Sequence, residues 1–476
     1  MTARRSSFPL CLAVAGGLLT PQAASAATGL NGAAMSWPWA LPFIGILLSI
    51  AIGPLLFPKI WHAHYGKIAA GWALLTLAPM ALAFGAPVAL AAFVHEMLSE
   101  YMSFIILLFA LYTVAGGLLI TGNLGGRPAS NALVLAFGAG IASIIGTTGA
   151  AMVLVRPLIR ANAARTYNVH VVVFFIILVA NIGGALSPLG DPPLFVGFLR
   201  GVDFFWPAKH LWLHTLIASA LVLAMFIILD VVYARREPRM VPKHQPLRIH
   251  GLINLPLIAA IIGAILISAA WKPGITLTIY GTTIEVQNLA RDVALIAIAL
   301  LSLKLTPAEH RKANDFTWEP IREVAKLFAG IFVCIIPVLA MLDAGRNGAF
   351  AFLLNAVTAR DGMPNDVAYF WLTGGLSAFL DNAPTYLVFF ELAGGDVRAL
   401  MGPLAGTLAA ISLGAVYMGA LTYIGNAPNL MVYAIATERG VKMPSFFGYL
   451  VLAACVLIPL FLVLTLLPIT PILKLS

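Results

Sequence analysis

The sequence contains few charged residues. They make up 10% of the 476 positions, while hydrophobic residues make up 61%. A soluble domain carries about 25% charged residues. A water-soluble fold of this length is therefore excluded.

Cysteines and catalytic motifs are also scarce. Cys11 lies in an N-terminal apolar segment, and Cys334 and Cys455 lie within long apolar stretches. The sequence therefore has neither a disulfide framework nor a cysteine metal motif. The loops contain no nucleophile–base pair and no other metal motif. We expect neither an enzyme nor a bound cofactor.

Long apolar runs, in contrast, are abundant. Stretches of about 20 residues, the length that crosses about 30 Å of hydrocarbon, recur along the chain. They must be helices or a closed barrel, because lipid cannot satisfy backbone polar groups. A barrel requires alternating strands of about 10 residues, whereas these runs are continuous and rich in Leu, Ala, Ile and Val. The sequence predicts an all-α polytopic membrane protein.

The net charge of +9 reflects the side of the membrane on which loops lie. Lys and Arg concentrate in the loops that the hydropathy pattern assigns to the cytoplasm, so we expect a lipid bilayer as partner and no nucleic acid. Residues 1–26 combine two arginines, a short apolar core and an Ala-Ser-Ala site, the pattern of a cleavable secretory signal. An uncleaved first helix is the alternative. We expect a bacterial inner-membrane location with the mature N-terminus in the periplasm.

Two apolar stretches are interrupted near their middle, and we interpret both as re-entrant hairpins, at about 131–159 and 369–392. Each is followed by a broken helix, at about 169–198 and 403–436. Because the hairpins are predicted to enter from opposite faces, these elements predict two inverted repeats, which are typical of secondary transporters. The expected division of the chain is a signal segment (1–26), N-terminal helices (27–100), repeat 1 (101–233), a cytoplasmic loop with linking helices (234–326) and repeat 2 (327–470).

The four interruptions supply candidate ligands. Asp191 and Asp381 each lie at an interruption, in opposite halves. A charge at the bilayer centre costs about 2.5–3.5 kcal/mol on insertion scales, so two idle charges are not expected. Carboxylates suit hard cations such as Na+, and a desolvated carboxyl group takes up a proton more readily than one in water. We predict that both aspartates bind Na+ or a proton, with the further cation-binding or proton-binding candidates Thr147, Thr148, Ser187, Ser377, Asn382, Asn426 and Asn429.

A purely structural role is the alternative for these residues. Aspartate is a preferred N-cap and proline a preferred first helical residue. Asp191-Pro192 fits that pattern fully, whereas Asp381 fits it loosely, so the sequence favours Asp381 as the exchange residue. The asparagines are also good caps, and the hydroxyls of Thr147 and Thr148 bond readily to their own helix.

Other ionisable residues are weaker candidates. Glu323 and Lys326, three positions apart, are able to pair on one helix face, either as a gate or proton relay or as a juxtamembrane salt bridge. Five other acidic residues are expected near the interfaces and in contact with solvent: Glu96, Glu100, Asp230, Asp343 and Glu391.

At these motifs the chain resembles the ion transporter superfamily, and within it the NhaD-type Na+/H+ antiporters and the related citrate-transport (CitMHS-like) family. The resemblance is carried by the stretch from Asn181 to Pro193, by Ser377 to Pro384, and by Gly425-Asn426-Ala427-Pro428-Asn429. It implies a scaffold and a transport domain, a homodimer, and elevator-like alternating access.

The expected function is Na+/H+ antiport, with Na+ or Li+ exchanged for H+ at intramembrane carboxylates. The alternative is a Na+-coupled or H+-coupled carrier of citrate or another dicarboxylate. Asp381 stands where the related dicarboxylate carriers have neutral donors, and its charge would repel an anionic substrate. A channel would not need carboxylates at both interrupted halves.

Overall fold

The computed structural model describes residues 30–122, 124–237, 246–360 and 362–466. The predicted signal segment, 1–26, lies outside the described residues. The described part is almost entirely helical, and its α-helices are α1 (Leu41–Leu56), α2 (Pro58–Phe84), α3 (Ala86–Glu96), α4 (Met102–Ala115), α5 (Pro128–Ile145), α6 (Thr147–Asn162), α7 (Val169–Leu178), α8 (Pro192–Leu199), α9 (Trp206–Ala234), α10 (Asn254–Ala270), α11 (Val286–Leu305), α12 (Ala308–Ala313), α13 (Glu319–Asp343), α14 (Ala351–Ala356), α15 (Asp366–Phe379), α16 (Asn382–Leu392), α17 (Val397–Met401), α18 (Ala405–Met418), α19 (Ala427–Glu438) and α20 (Phe446–Leu466).

Two small antiparallel sheets accompany the helices, and the all-helical expectation omitted them. Strand β1 (Leu119–Thr121) pairs with β2 (Arg248–His250), with Leu119 opposite His250. Strands β3 (Thr276–Ile279) and β4 (Thr282–Glu285) form a hairpin. Its two turn residues, Tyr280 and Gly281, both have positive φ, as a tight two-residue hairpin turn requires.

The helices are built to cross a membrane. Several of them expose large apolar side chains, such as Leu74 on α2 and Leu82, which is 89% exposed. Lipid accepts such surfaces and water does not. The predicted all-α, multi-pass membrane fold is confirmed. In the described residues, eight helical stretches are long and apolar enough to span: Trp37–Pro54, Pro58–Phe84, Ala86–Ala115, Pro128–Ile145, Trp206–Ala234, Val286–Leu305, Glu319–Asp343 and Phe446–Thr465.

The helices break at four places in the two halves. Gly146, with φ +80°, separates α5 from α6, and Leu380 and Asp381 separate α15 from α16. Longer irregular segments separate α7 from α8 and α18 from α19, and each contains one 3-10 turn, Ile182–Gly184 or Gly419–Leu421. The re-entrant course of the hairpins and the inverted sense of the repeats stay predictions.

Two helices start earlier than hydropathy indicates. Helix α3 continues through one π-helical turn, Met97–Tyr101, into α4, so no span begins at Tyr101. Helix α13 begins at Glu319, with a proline in its first turn, rather than near Leu327. In both cases the hydropathy pattern ended at charged residues that lie inside the helix.

The interior is formed by the elements on either side of the breaks. Helix α7 is buried from His170 to its end, and α18 is buried from Thr407 to its end. Helix α15 packs along α18, and α16 packs against α8. The breaks at Gly146 and after α7 and α18 therefore lie largely inside the protein, where irregular backbone is tolerated, and the break at Leu380 and Asp381 is partly buried.

Candidate ion-binding site

The four helix breaks meet at the carboxylate of Asp191. Its Oδ1 accepts hydrogen bonds from Thr147 Oγ1 at 3.1 Å and from Asn426 Nδ2 at 2.9 Å. Its Oδ2 accepts from Asn382 Nδ2 at 2.6 Å. Thr147 follows the first hairpin break, Asn382 the second, and Asn426 ends the second broken segment. The Asp191 carboxylate thus accepts a hydrogen bond from one side chain at each of the other three breaks.

These groups are removed from solvent. Asp191, Thr147 and Asn426 are each 1% exposed, and Asn382 is fully buried. A buried carboxylate is tolerated when several hydrogen bonds are donated to it. The three donors account for how the fold accommodates Asp191.

Two buried oxygens beside this carboxylate have no hydrogen-bond partner. They are Oδ1 of Asn382 and Oδ1 of Asn426, the carbonyl ends of the amides that donate to Asp191. A buried unsatisfied polar atom is costly and needs an explanation. Carboxylate and amide oxygens are the ligands that hard cations such as Na+ prefer. The donor set therefore fits a cation.

The site residues form two corresponding pairs. Asp191 and Asn426 lie 235 positions apart, and the same spacing relates Thr147 to Asn382. The turn before each pair is built alike. Ser187 Oγ accepts from the backbone N–H of Leu189 and Gly190.

The equivalent hydroxyl in the second half belongs to Thr422. It accepts from the N–H groups of Ile424 and Gly425 and donates to the carbonyl of Ala378, as Ser187 donates to that of Ser143. The two halves therefore use one local construction to present an acid in one case and an amide in the other.

Each broken segment folds back on itself at a pair of glycines. A Cβ on Gly190 would collide with the backbone of Gly184, and a Cβ on Gly425 would lie 2.6 Å from the carbonyl oxygen of Gly419. Because only glycine permits this approach, the sequence at these positions is dictated by the turn that delivers Asp191 and Asn426 to the site.

The two aspartates make different contacts. Asp191 occupies the N-cap position of α8, but its side chain makes no capping hydrogen bond. Asp381 is a capping residue, since its Oδ1 accepts from the backbone N–H of Ala383 at 3.2 Å. The capping explanation therefore applies to Asp381, and the carboxylate at the centre of the site is Asp191.

A cavity of about 80 Å³ adjoins the site. This volume holds several water molecules, since one needs about 10–15 Å³ by the same measure. Asp191, Asp381, Thr147, Thr148 and Asn426 supply most of its polar lining, and the rest is largely apolar. The residues that line it include no Lys, Arg or His.

Four helices begin at this point: α6, α8, α16 and α19. The N-terminus of a helix carries a partial positive charge, so their convergence favours negative charge. Asp191 and Asp381 place the protein's own carboxylates there. The positive ends of the helices thereby stabilise carboxylates that a cation is able to neutralise.

Several predicted ligand residues use their polar groups in hydrogen bonds to other parts of the fold. Asn429 Oδ1 accepts from Asn181 Nδ2 at 2.7 Å, and Asn429 Nδ2 donates to the carbonyls of Gly419 and Thr422. Ser377 Oγ donates to the carbonyl of Ala415 at 2.6 Å. Asn429, Ser187 and Ser377 therefore brace the broken segments and do not face the Asp191 carboxylate.

Sequence reasoning left Asn181 out of the site. Its Nδ2 also donates to the carbonyl of Ile176, and its Oδ1 accepts from Asn426 Nδ2 at 3.2 Å. It thus ties the first broken segment to the second. The sequence feature that indicates its role is an amide side chain within an apolar stretch, just before the break. The nearby glycines drew the interpretation toward helix packing instead.

The suggested pairing of Glu323 with Lys326 is wrong. Glu323 Oε1 instead accepts from Trp61 Nε1 at 3.1 Å, and Lys326 Nζ lies 5.1 Å from the centre of the Tyr65 ring. Both partners lie on α2, because this face of α13 packs against that helix. The cavity is lined by the other face of α13, through Pro320, Ile321, Val324 and Phe328.

The expected solvent contact of the other acidic residues is also wrong for three of them. Glu96 and Glu100 are each 5% exposed, and Asp230 is fully buried. Asp230 is ion-paired with Arg165 and hydrogen-bonded to His170. Hydropathy cannot detect such pairing, because Arg165 lies between α6 and α7, far in sequence from Asp230 on α9.

The comparison with protein families agrees with this architecture. The family model described as "Putative citrate transport" matches residues 32–469. The chain belongs to this family. No curated protein matches it.

Membership of the citrate-transport family, together with the membrane-spanning helices, makes the chain a multi-pass membrane protein of a transporter family. In the described residues, no group of three or more His, Cys, Asp or Glu side chains is placed to hold a metal ion. The site at Asp191 combines a carboxylate with amide and hydroxyl oxygens, which suits an alkali cation better than a transition metal.

Proposed function

We propose that this protein is a secondary active Na+/H+ antiporter in which Asp191 binds either a proton or Na+ (or Li+), but not both at once. The observation that carries the proposal is the pair of buried, unpartnered oxygens, Asn382 Oδ1 and Asn426 Oδ1, beside the Asp191 carboxylate. A cation at this point gains oxygen ligands that no donor of the protein occupies.

The exchange follows from the charge of one group. With a proton bound, Asp191 is neutral and its burial costs little. With Na+ bound, the carboxylate is ionised and its charge is balanced by the ion. The empty ionised form is the least favourable in a low-dielectric interior. Crossing the membrane with the site filled by either ion is therefore favoured, which is the condition for coupled exchange.

Asp381 has a supporting part in this proposal. It lines the same cavity and caps α16, so it contributes negative charge near the ion without being its main ligand. Thr147 and Thr148 supply hydroxyl oxygens at the first hairpin.

A cation is favoured over an anion by the lining of the cavity. Citrate recognition calls for basic side chains or several free donors, and the lining residues include no Lys, Arg or His. The convergent helix N-termini would attract an anion, but Asp191 and Asp381 already supply negative charge there.

Transport of citrate or another carboxylate is the second candidate, because the matching family is described by that substrate. In that case Na+ or H+ at Asp191 would neutralise the site, and the carboxylate would bind beside it at the helix N-termini.

The deciding experiment uses the full chain in everted vesicles or proteoliposomes with a preformed pH gradient. NaCl, LiCl, KCl and citrate are added separately, and Asp191→Asn protein is the control. We expect Na+ or Li+ to dissipate the gradient, and the Na+ concentration for half-maximal effect to fall as pH rises, because protons compete at low pH. Citrate uptake without Na+-driven proton movement would replace antiport with the second candidate.

A further inference from the structure

A second group of buried carboxylates lies away from the cavity. Glu96 ends α3, and Glu100 follows within the π-helical turn, Met97–Tyr101. Both are 5% exposed, and neither lines the cavity at Asp191. A π-turn within an α-helix frequently marks a functional site.

Three carboxylates lie around one guanidinium group in this cluster. Arg200 Nε lies 2.8 Å from Glu100 Oε1, and Arg200 Nη1 lies 2.6 Å from Glu391 Oε1. Arg200, Glu100 and Glu391 are also the charged neighbours of Glu96, but the arginine is already paired with the other two. Three ionised glutamates beside one arginine would leave an excess of buried negative charge.

Three polar atoms of this cluster are buried without a hydrogen-bond partner: the acceptors Glu96 Oε1 and Glu100 Oε2, and the donor Arg200 Nε, which is ion-paired with Glu100 Oε1. Because Arg200 Nε faces the other oxygen of Glu100, the two unpartnered glutamate oxygens still lack a donor. A proton on one of the two glutamates supplies that donor and removes the excess charge in the same step.

No basic side chain of the described residues forms an ion pair with Glu96. Helix α2 meets α3 through apolar residues, including Met80 and Phe84. Arg291 of α11 is bound to Asp292 and to Ser103 of α4. Other titratable groups on these elements include His95 beside Glu96, Tyr101 of the π-helical turn, Asp343 of α13, Glu391 of α16 and Glu285 of β4.

We propose that Glu96 is a proton-binding site separate from Asp191, with Glu100 as the ionised partner of Arg200. The proposal does not depend on which ion or substrate is transported. It assigns the proton to the carboxyl group that has no ion pair.

The second site is connected to the first through two helices. Asp191 and Arg200 flank α8, which has 8 residues and is therefore about 12 Å long. Asp381 precedes α16, and Glu391 lies near its other end. The Arg200–Glu391 ion pair thus joins the C-terminal ends of α8 and α16, the two helices that begin at Asp191 and Asp381. The charge on Glu96 affects this ion pair through its electrostatic interaction with Arg200.

The test is infrared spectroscopy of the purified full-length protein at neutral pH, in which a protonated carboxylic acid gives its own C=O stretching band. Glu96→Gln imitates the protonated form. We expect this variant to fold, to keep its melting temperature, and to lose one carboxyl group's share of the band. Glu309→Gln, at an exposed position on α12, should leave the band unchanged.

The outcomes are distinct from those for Asp191. A full band in Glu96→Gln would overturn the proposal. So would failure of this variant to fold at neutral pH, because the fold would then need the ionised form. Glu100→Gln is expected to lower the melting temperature, since Arg200 loses a partner. None of these results depends on Na+/H+ exchange, which is measured separately through Asp191→Asn.

Discussion

Asp191 and Asn426 occupy corresponding positions 235 residues apart, and they are hydrogen-bonded to each other, from Asn426 Nδ2 to Asp191 Oδ1 at 2.9 Å. The same kind of turn therefore places a carboxylic acid from one half, Asp191, next to the amide of Asn426 from the other half. An acid and an amide form a site with a single dominant charge. A second acid in place of Asn426 would add like-charge repulsion.

The first prediction ranks the aspartates. Asp191→Asn should lose Na+/H+ exchange completely, because asparagine neither exchanges a proton nor supplies a full charge. Asp381→Asn should keep part of the activity, because asparagine is about as good an N-cap as aspartate. The measurement is the fluorescence response of a pH-gradient dye to NaCl in vesicles.

Stability separates this result from misfolding. In Asp191→Asn, the lost desolvation cost opposes the loss of charge-assisted hydrogen bonds, worth about 1.5–3 kcal/mol each, so the net change should be small. Asp396→Asn is the matched control, because Asp396 is an exposed cap of α17. Full exchange in folded Asp191→Asn protein would contradict the ranking.

The second prediction contrasts two asparagines three positions apart. Asn426→Ala removes an unpartnered oxygen beside Asp191, so it should raise the half-maximal Na+ concentration by about tenfold, the effect of about 1.4 kcal/mol. Asn429→Ala removes an amide whose hydrogen bonds are all made within the fold.

Asn429→Ala should instead lower stability, because each buried group left without a partner costs about 1–3 kcal/mol. Its half-maximal Na+ concentration should stay unchanged. Melting temperature and Na+ titration, measured on both proteins, check the contrast. Equal effects of the two substitutions would show that Asn426 is structural as well.

The third prediction concerns the glycine turn. Gly190→Ala should destabilise the protein by about 1–3 kcal/mol, because the added methyl group has to displace the backbone of Gly184. It should also reduce exchange, since the shift moves Asp191 away from Asn382. Gly140→Ala on α5 is the control: its Cβ meets nothing within 4 Å, and alanine favours a helix by about 0.5–1 kcal/mol. A Gly190→Ala protein as stable as this control would contradict the close approach.

The fourth prediction tests the inverted arrangement of the hairpins. Single cysteines replace the exposed residues Ala163, after α6, and Arg398, on the short helix α17, in a protein whose native cysteines have been removed. An impermeant maleimide should label position 163 only from the cytoplasm and position 398 only from the periplasm. Labelling of both from the same face would remove the inverted repeat and leave the Asp191 site without its expected alternating access.

Much of the architecture is predictable from sequence because it depends on local chemistry. Apolar runs specify helices in lipid, and Gly, Pro and Asn specify where those helices break. The breaks at Gly146 and Asp381 lie within the predicted interruptions. Hydropathy failed at the helical stretch Ala86–Ala115 and at α13, because charged residues such as Glu100 and Glu323 lie inside them.

The sequence by itself determined that the chain spans a membrane, that its helices are interrupted in both halves, and that two aspartates lie at the interruptions. Only the tertiary structure decided which aspartate accepts hydrogen bonds from the other three breaks. A side chain at a helix break caps its own helix or joins a binding site, depending on which other break lies opposite it. The residues of that other break are far away in sequence. For Asp191 the partners are Thr147, Asn382 and Asn426, and for Asp381 the partner is its own backbone at Ala383.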